Sequence, residues 1–240
     1  MEGKTLLTYS LVITVIVIIL CYIYISYEMV EYDKNAIDIE KLYKMCKTGD
    51  IIYFRWPYPD IGFRLFSKFS HVGMVYKQGN NVYILETHPE GDASELGVDE
   101  SGVHLYDLKE RIEKYTGICY LSKLNIKDNI EDVVNKNTKM IHQYIEKHLD
   151  KYKKIPFDED FRYNYVMAYL HHLIGKTRKN DKMYCSTFIG FILKDLNLLD
   201  NDCNIEVFSP SSFLHLKKDN KLLYDDHLKK IVIEDIYQNE

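Results

Sequence analysis

Two residues of this chain, His71 and Cys185, have side chains that can form a cysteine nucleophile with its general base. His71 lies near the start of SHVGMVY, a β-strand pattern, and Cys185 lies near the start of MYCSTFIGFIL, an amphipathic helix pattern. At the N-terminus of a helix, the helix dipole stabilises a thiolate. Taken singly, Cys185 also fits a small buried apolar side chain and His71 a hydrogen-bonded histidine at a strand end.

A polar residue that orients the imidazole is expected on the strand after His71. The segment HVGMVYKQGNNVYILETH predicts a β-hairpin. If its Gly-Asn turn has two residues, His88 lies opposite His71, and Glu86 is a diagonal neighbour of His71 on the same face, about 7 Å away. Gly73 then leaves open space between them. A three-residue turn would move Glu86 to the other face, so Glu86 is the predicted third residue and His88 its alternative.

The elements that position these residues are strands first and helices later, which predicts an α+β domain. Strand patterns besides the hairpin are IIYFRW, VHLYDL and ICYLSKL, and helix patterns are IEDVVNKNTKMIHQYIEKHLDKY and FRYNYVMAYLHHLIG. On a third helix, which starts near Met183 with Asp181 as its cap, Cys185 shares an apolar stripe with Ile189 and therefore faces inward. Ser209 and Pro210 predict the N-cap and first residue of a short fourth helix.

The N-terminal part of the chain predicts a membrane anchor. No charged residue lies between Lys4 and Glu28, and this stretch exceeds the roughly 20 apolar residues that cross a bilayer. Bulky and acidic residues follow it where a cleavage site would need small ones, so we expect one uncleaved transmembrane helix and a single-pass membrane protein. Both flanks carry few positive residues, which leaves the side of the soluble domain open.

We therefore predict four regions. Their bounds are 1–28 for the anchor, which enters the membrane through 5–27, 29–46 for a linker, 47–216 for the domain, and 217–240 for a C-terminal extension that packs on the domain or is partly mobile.

Composition excludes several functions. The net charge is −5 without a basic patch, so nucleic acid is not an expected partner. The five cysteines are widely spaced and form no C-x-x-C pair. This spacing favours free thiols over a zinc site or a disulfide framework, and we expect neither metal nor cofactor.

The segments TGDIIYFR, SHVGMVY, an acidic residue near the end of the next strand, MYCSTFIGFIL and SPSSF occur in this order over roughly residues 47–216. This ordered set resembles the circularly permuted branch of the NlpC-type papain-like superfamily, in particular its YiiX-like group with viral relatives, and more distantly lecithin:retinol acyltransferase. The resemblance implies a permuted papain-like domain, with an antiparallel sheet packed against helices. It also implies Cys185 as nucleophile, His71 as base and Glu86 as orienting residue.

The resemblance further implies a thiol hydrolase or acyltransferase that acts on amide, ester or thioester bonds through an acyl-enzyme intermediate. With the anchor, a lipid-linked or acylated substrate at the membrane is favoured over a peptide. The alternative is a catalytically inert, membrane-tethered structural or binding protein on the same scaffold, such as a component of a viral envelope. A separation of about 4 Å or less between the Cys185 sulfur and a His71 ring nitrogen favours the enzyme.

Overall fold

The computed structural model divides the chain into two compact units, Met1–Ala36 and Ile37–Glu240. The residues that it describes are 14–18, 36–56, 67–91, 96–98, 100–124, 131–160, 163–164, 166–167, 182–200, 202–218, 221–224 and 228–233.

In the first unit, residues 14–18 are helical and the side chains of Val15 to Ile18 are exposed. Among the helices in the described part of the chain, none combines the length and the apolar character needed to cross a bilayer. The rest of the anchor predicted for 5–27 lies outside the described residues.

The second unit confirms the α+β prediction: a mixed sheet packs against helices. The described strands are β1 (Ile37–Asp38), β2 (Ile51–Arg55), β3 (His71–Gln78), β4 (Asn81–His88), β5 (Gly102–Asp107), β6 (Ile118–Ser122), β7 (Lys217–Lys218), β8 (Lys221–Leu222) and β9 (Lys229–Val232). Within these residues, seven strands form one sheet in the order β1-β9-β6-β2-β3-β4-β5, and β7 pairs with β8. The β1–β9 pair is parallel and the other pairs of the sheet are antiparallel.

Among the described helices, the first two lie between strands of the sheet in the sequence, and the others follow β6. The described helices are α1 (Ile39–Met45), α2 (Leu108–Lys114), α3 (Glu131–Tyr152) and α4 (Cys185–Asp195), with 3-10 helices at Ile205–Val207 and Pro210–His215. The last of these begins after Ser209 as N-cap with Pro210 at its start, as predicted, but it is a 3-10 helix. The N-cap of α4 is Tyr184, whereas the predicted cap Asp181 and most of the FRYNYVMAYLHHLIG segment lie outside the described residues.

One face of the sheet, here called the His71 face, is covered by α1 and α2. Pleating places Phe54 and Ile84 on the same face as His71, given the pairing of β2, β3 and β4. These two residues form one buried cluster with Leu42 of α1 and Leu108 of α2, and further members are Ile52, Val75, Ile112, Cys119 and Leu121.

The opposite face, here called the Tyr53 face, is covered by α3 and α4. Tyr76 of β3 lies on this face and stacks on His142 of α3, with ring centroids 4.9 Å apart. Tyr152 of α3 in turn contacts Phe188 of α4, with ring centroids 5.2 Å apart. α3 and α4 therefore form one layer that covers the Tyr53 face.

The β3–β4 hairpin has the register that the sequence predicted. Gln78 pairs with Asn81, so the turn consists of Gly79 and Asn80. Gly79 has φ +61°, a left-handed conformation that glycine adopts without a steric penalty. Because the turn has two residues, Glu86 lies on the His71 face.

The open space predicted beside Gly73 does not exist. A Cβ atom at Gly73 would lie 2.5 Å from Cδ1 of Ile84 and 3.4 Å from Cβ of Glu86. The prediction was wrong because the side chain of Ile84 crosses over the glycine and fills that space. Gly73 is therefore needed for close packing between β3 and β4.

The structure also divides the predicted linker 29–46. Residues 37–46 belong to the compact unit because β1 pairs with β9 and Leu42 of α1 is fully buried. At the other end, β9 lies within the predicted extension 217–240 and pairs with β6. Both segments complete the sheet, which explains why they are folded with the domain.

We predict that Gly73→Ala lowers the free energy of unfolding by about 1–3 kcal/mol, because the added methyl group overpacks against Ile84. Urea unfolding measures the change. In an Ile84→Ala background the colliding atoms are gone, and the same substitution should then cost less. An equal cost in both backgrounds would contradict the packing argument.

Candidate active site

His71 lies at the first position of β3, directly opposite Phe54 of β2. Its ring centroid is 5.3 Å from that of Phe54, and 13% of its side chain is exposed. Its Nε2 atom lies 2.6 Å from Oε2 of Glu86. The predicted diagonal contact across the hairpin is therefore formed.

Glu86 is fully buried and contacts two cationic side chains. Besides its contact with His71, its Oε1 atom accepts a hydrogen bond of 2.6 Å from Nε of Arg111 in α2. The guanidinium of Arg111 lies over the ring of Phe54, with Cζ 4.8 Å from the ring centroid, and over the ring of Tyr115 at 5.5 Å. Aromatic faces and a carboxylate thus hold this guanidinium in one orientation.

These contacts keep Glu86 ionised. Burial by itself would raise the pKa of the carboxyl group, but the charges of Arg111 and His71 and their hydrogen bonds outweigh it. The pKa falls from its ordinary value of 4.5 to about 2. Glu86 is therefore a carboxylate at neutral pH.

Cys185 is the first residue of α4, is 8% exposed, and lies beside His71, close enough for its side chain to act on the pKa of the imidazole. Burial alone would lower the pKa of His71, but the negative charges of Cys185 and Glu86, with hydrogen bonds to both, raise it to about 10. Since Nε2 of His71 faces Glu86, Nδ1 is the nitrogen left for the thiol. At neutral pH His71 is therefore an imidazolium, and it lies beside the side chain of Cys185.

His88, the alternative third residue, is engaged elsewhere. Its Nδ1 atom lies 2.8 Å from the carbonyl oxygen of Pro89, and its Nε2 atom hydrogen-bonds to the hydroxyl of Tyr106. Burial lowers its pKa, which favours the neutral ring. The structure therefore brings Glu86, not His88, to His71.

Arg111 is the site residue that the sequence analysis missed. On α2 it shares one stripe with Leu108, Ile112 and Tyr115, at the spacing of a buried helix face. A charged residue on such a stripe needs a buried partner of opposite charge. This pattern was the available signal, although it does not say which carboxylate the arginine meets.

The FSPSSF segment, residues 208–213, connects the two halves of the site. The hydroxyl of Ser211 accepts a hydrogen bond of 2.6 Å from the backbone N–H of Lys68, and it lies 3.0 Å from the hydroxyl of Ser67, just upstream of His71. On the other side, the hydroxyl of Ser186 donates to the carbonyl of Phe208 at 2.7 Å. One short segment thus holds both the strand that carries the imidazole and the helix that carries the thiol.

The Gly-Asp pair of the TGDIIYFR segment has a structural role. The buried Asp50 carboxylate accepts hydrogen bonds from the backbone N–H groups of Lys47 at 2.8 Å and Leu124 at 2.9 Å. These bonds fix the start of β2 against the chain that leaves β6.

The other described cysteines lie in different surroundings. Cys46 and Cys119 are buried, and burial raises the pKa of both, to about 11 for Cys46. All described cysteines are free thiols. Within the described residues, no group of three or more His, Cys, Asp or Glu side chains is arranged to hold a metal ion.

The chain has similarity to known proteins at the level of structure. No family model matches the chain, and no curated protein sequence matches it. Among solved structures, the chain is similar to the metalloprotein YiiX from Escherichia coli O157:H7. The two are 16% identical with a TM-score of 0.41, over 78% of this chain and 89% of that one. This weak similarity assigns no function, which has to be argued from the side chains.

We predict an acid-dependent loss of stability that comes from Glu86. Its pKa is lowered on folding, so its contribution is complete above pH 4.5 and is lost as the pH falls towards about 2. The shift corresponds to ~3 kcal/mol. Urea unfolding between these pH values should show this loss in the parent protein and a much flatter profile in Glu86→Gln.

Glu110→Gln is the matched control, because Glu110 is an exposed carboxylate on the same helix as Arg111. It should keep the acid profile of the parent protein. If Glu86→Gln also shows the acid profile of the parent protein, folding does not lower the pKa of Glu86.

Proposed function

We propose that the chain is a cysteine hydrolase or acyltransferase on a permuted papain-like domain, with Cys185 as nucleophile, His71 as base and Glu86 as orienting residue. The observation that carries the proposal is the succession of adjacent groups from the thiol to the imidazole, from the imidazole to the buried carboxylate, and from the carboxylate to the Arg111 guanidinium. This is the nucleophile, base and orienting group of a catalytic triad.

In the first step the thiolate of Cys185 attacks the carbonyl carbon of an amide, ester or thioester. A carbon–sulfur bond forms, and the carbonyl electron pair moves to its oxygen. The backbone N–H groups in the first turn of α4 have no acceptor within the helix and can donate to this oxyanion. The dipole of α4 supports the same negative charge.

The tetrahedral intermediate then collapses to a thioester between Cys185 and the acyl group. His71 gives its proton to the leaving amine, alcohol or thiol, which departs. Water, or an acceptor amine or alcohol, next attacks the thioester while His71 takes its proton. Release of the acyl product restores the thiolate and the imidazolium.

The substrate and location follow from the predicted anchor. A helix at 5–27 would hold the domain beside a bilayer, where lipid-linked or acylated molecules are concentrated. We therefore propose such a molecule as substrate, with a peptide as the other candidate. The proximity of thiol and imidazole supports an enzyme over an inert membrane-tethered scaffold, because an inert scaffold does not need an imidazolium beside a thiol.

We predict that Cys185→Ala abolishes covalent labelling by a thiol-directed acyl probe and hydrolysis of a panel of thioester substrates. Mass spectrometry locates the labelled residue. Cys203→Ala is the control, since Cys203 is a partly exposed cysteine outside the site, and it should keep both signals. Labelling that persists in Cys185→Ala at the parent rate would refute the assignment of Cys185 as nucleophile.

We also predict that Glu86→Gln moves the alkaline limb of the activity profile to lower pH. The Glu86 charge is among the causes that raise the pKa of His71 to about 10, so without it the imidazolium loses its proton earlier. A shift of about one pH unit or more is expected. The pH dependence of kcat/KM for a thioester substrate measures it.

A purely structural role for Glu86 would lower kcat/KM equally at every pH and leave the alkaline limb in place. That result would show that the charge of Glu86 does not set the pKa of His71.

A further inference from the structure

The structure contains a second buried arginine, Arg55, which the proposed mechanism does not use. It is the last residue of β2 and is 7% exposed. Within the part of the chain that the structure describes, no hydrogen bond or ion pair joins its guanidinium to another residue. Arg111, which is buried to a similar degree, instead has the carboxylate of Glu86 as its partner.

An arginine stays charged at every relevant pH, and burial removes part of the hydration of a guanidinium that has no partner among the described residues. Such a site lowers its free energy when an anion enters it. The planar guanidinium fork matches the two oxygens of a carboxylate or a phosphate. Arg55 therefore has the properties of an anion-binding group.

Arg55 lies at the end of the sheet where Cys185 is found. Phe54, the preceding residue, is paired with His71, so Arg55 lies at the end of the sheet where His71 begins its strand. Pleating turns Arg55 to the Tyr53 face. That face is covered by the layer of α3 and α4, and α4 begins with Cys185, which contacts His71. Arg55 and Cys185 thus lie at the same end of the sheet.

We infer that Arg55 binds an anionic group of the substrate, a carboxylate or a phosphate, while Cys185 attacks the nearby carbonyl. This inference rests on the proposed function and narrows its substrate class. The molecule carries an acyl group and a negative charge, as a phosphate-bearing lipid or an acidic peptide does. A neutral acylated lipid would leave Arg55 without a partner among the described residues.

The test compares two alkylating reagents of similar size on the 240-residue chain. Iodoacetate is anionic and iodoacetamide is neutral, and each transfers its two-carbon group to the Cys185 thiolate with loss of iodide. The ratio of their rate constants at Cys185, measured by mass spectrometry, reports attraction of a carboxylate to the site. We expect Arg55→Met to lower this ratio at least tenfold and Arg55→Lys to keep most of it.

Lys139→Gln is the matched control, since Lys139 is an exposed cation on α3 and its loss changes the net charge equally. It should leave the ratio unchanged. A ratio in Arg55→Met equal to that of the parent protein would overturn the anion site while leaving the nucleophile intact. Failure of both reagents to react at Cys185 in the parent protein would instead defeat the proposed function.

A second measurement does not need a reactive thiol. Inorganic phosphate should raise the melting temperature of Cys185→Ala, and that rise should disappear in Cys185→Ala/Arg55→Met. Equal rises in the two proteins count against the anion site. Acetate and phosphate, compared as competitors of iodoacetate, then distinguish a carboxylate-binding site from a phosphate-binding site.

Discussion

The buried carboxylate of Glu86, held between Arg111 and His71, is the interaction on which the rest of the site depends. A fully buried carboxylate is stable only when opposite charges and hydrogen bonds replace its lost hydration. Arg111 satisfies one oxygen and His71 the other. Because Glu86 is held as an anion, His71 is held as a cation in a fixed orientation beside Cys185.

Three separate features of the fold must be correctly placed for these contacts to form. The two-residue turn sets which face of β4 carries Glu86, and Gly73 lets Ile84 cross β3 so that the strands pack closely. α2 must then lie over the same face for Arg111 to reach the carboxylate. The site is therefore built into the core of the domain, and its chemistry and its stability share one set of interactions.

Cys185 lies more than a hundred residues after His71 in the chain, and separate contacts place it. α4 lies on the Tyr53 face, whereas the Glu86 contact lies on the His71 face. His71 joins the two because it stands at the end of its strand. The serine contacts around Ser211 and Ser186 fix that end to the start of α4, so the thiol and the imidazole meet across the end of the sheet.

The sequence by itself determined the local elements, the pair Cys185 and His71 and, through the Gly-Asn turn, the face on which Glu86 lies. These depend on periodicity and turn chemistry, which act between near neighbours. Only the tertiary structure decided that Glu86 rather than His88 contacts His71, that Arg111 is its partner, and that β1 and β9 belong to the sheet. Those outcomes depend on which distant segments share a face, and a pattern within one segment carries no information about the segment that packs against it.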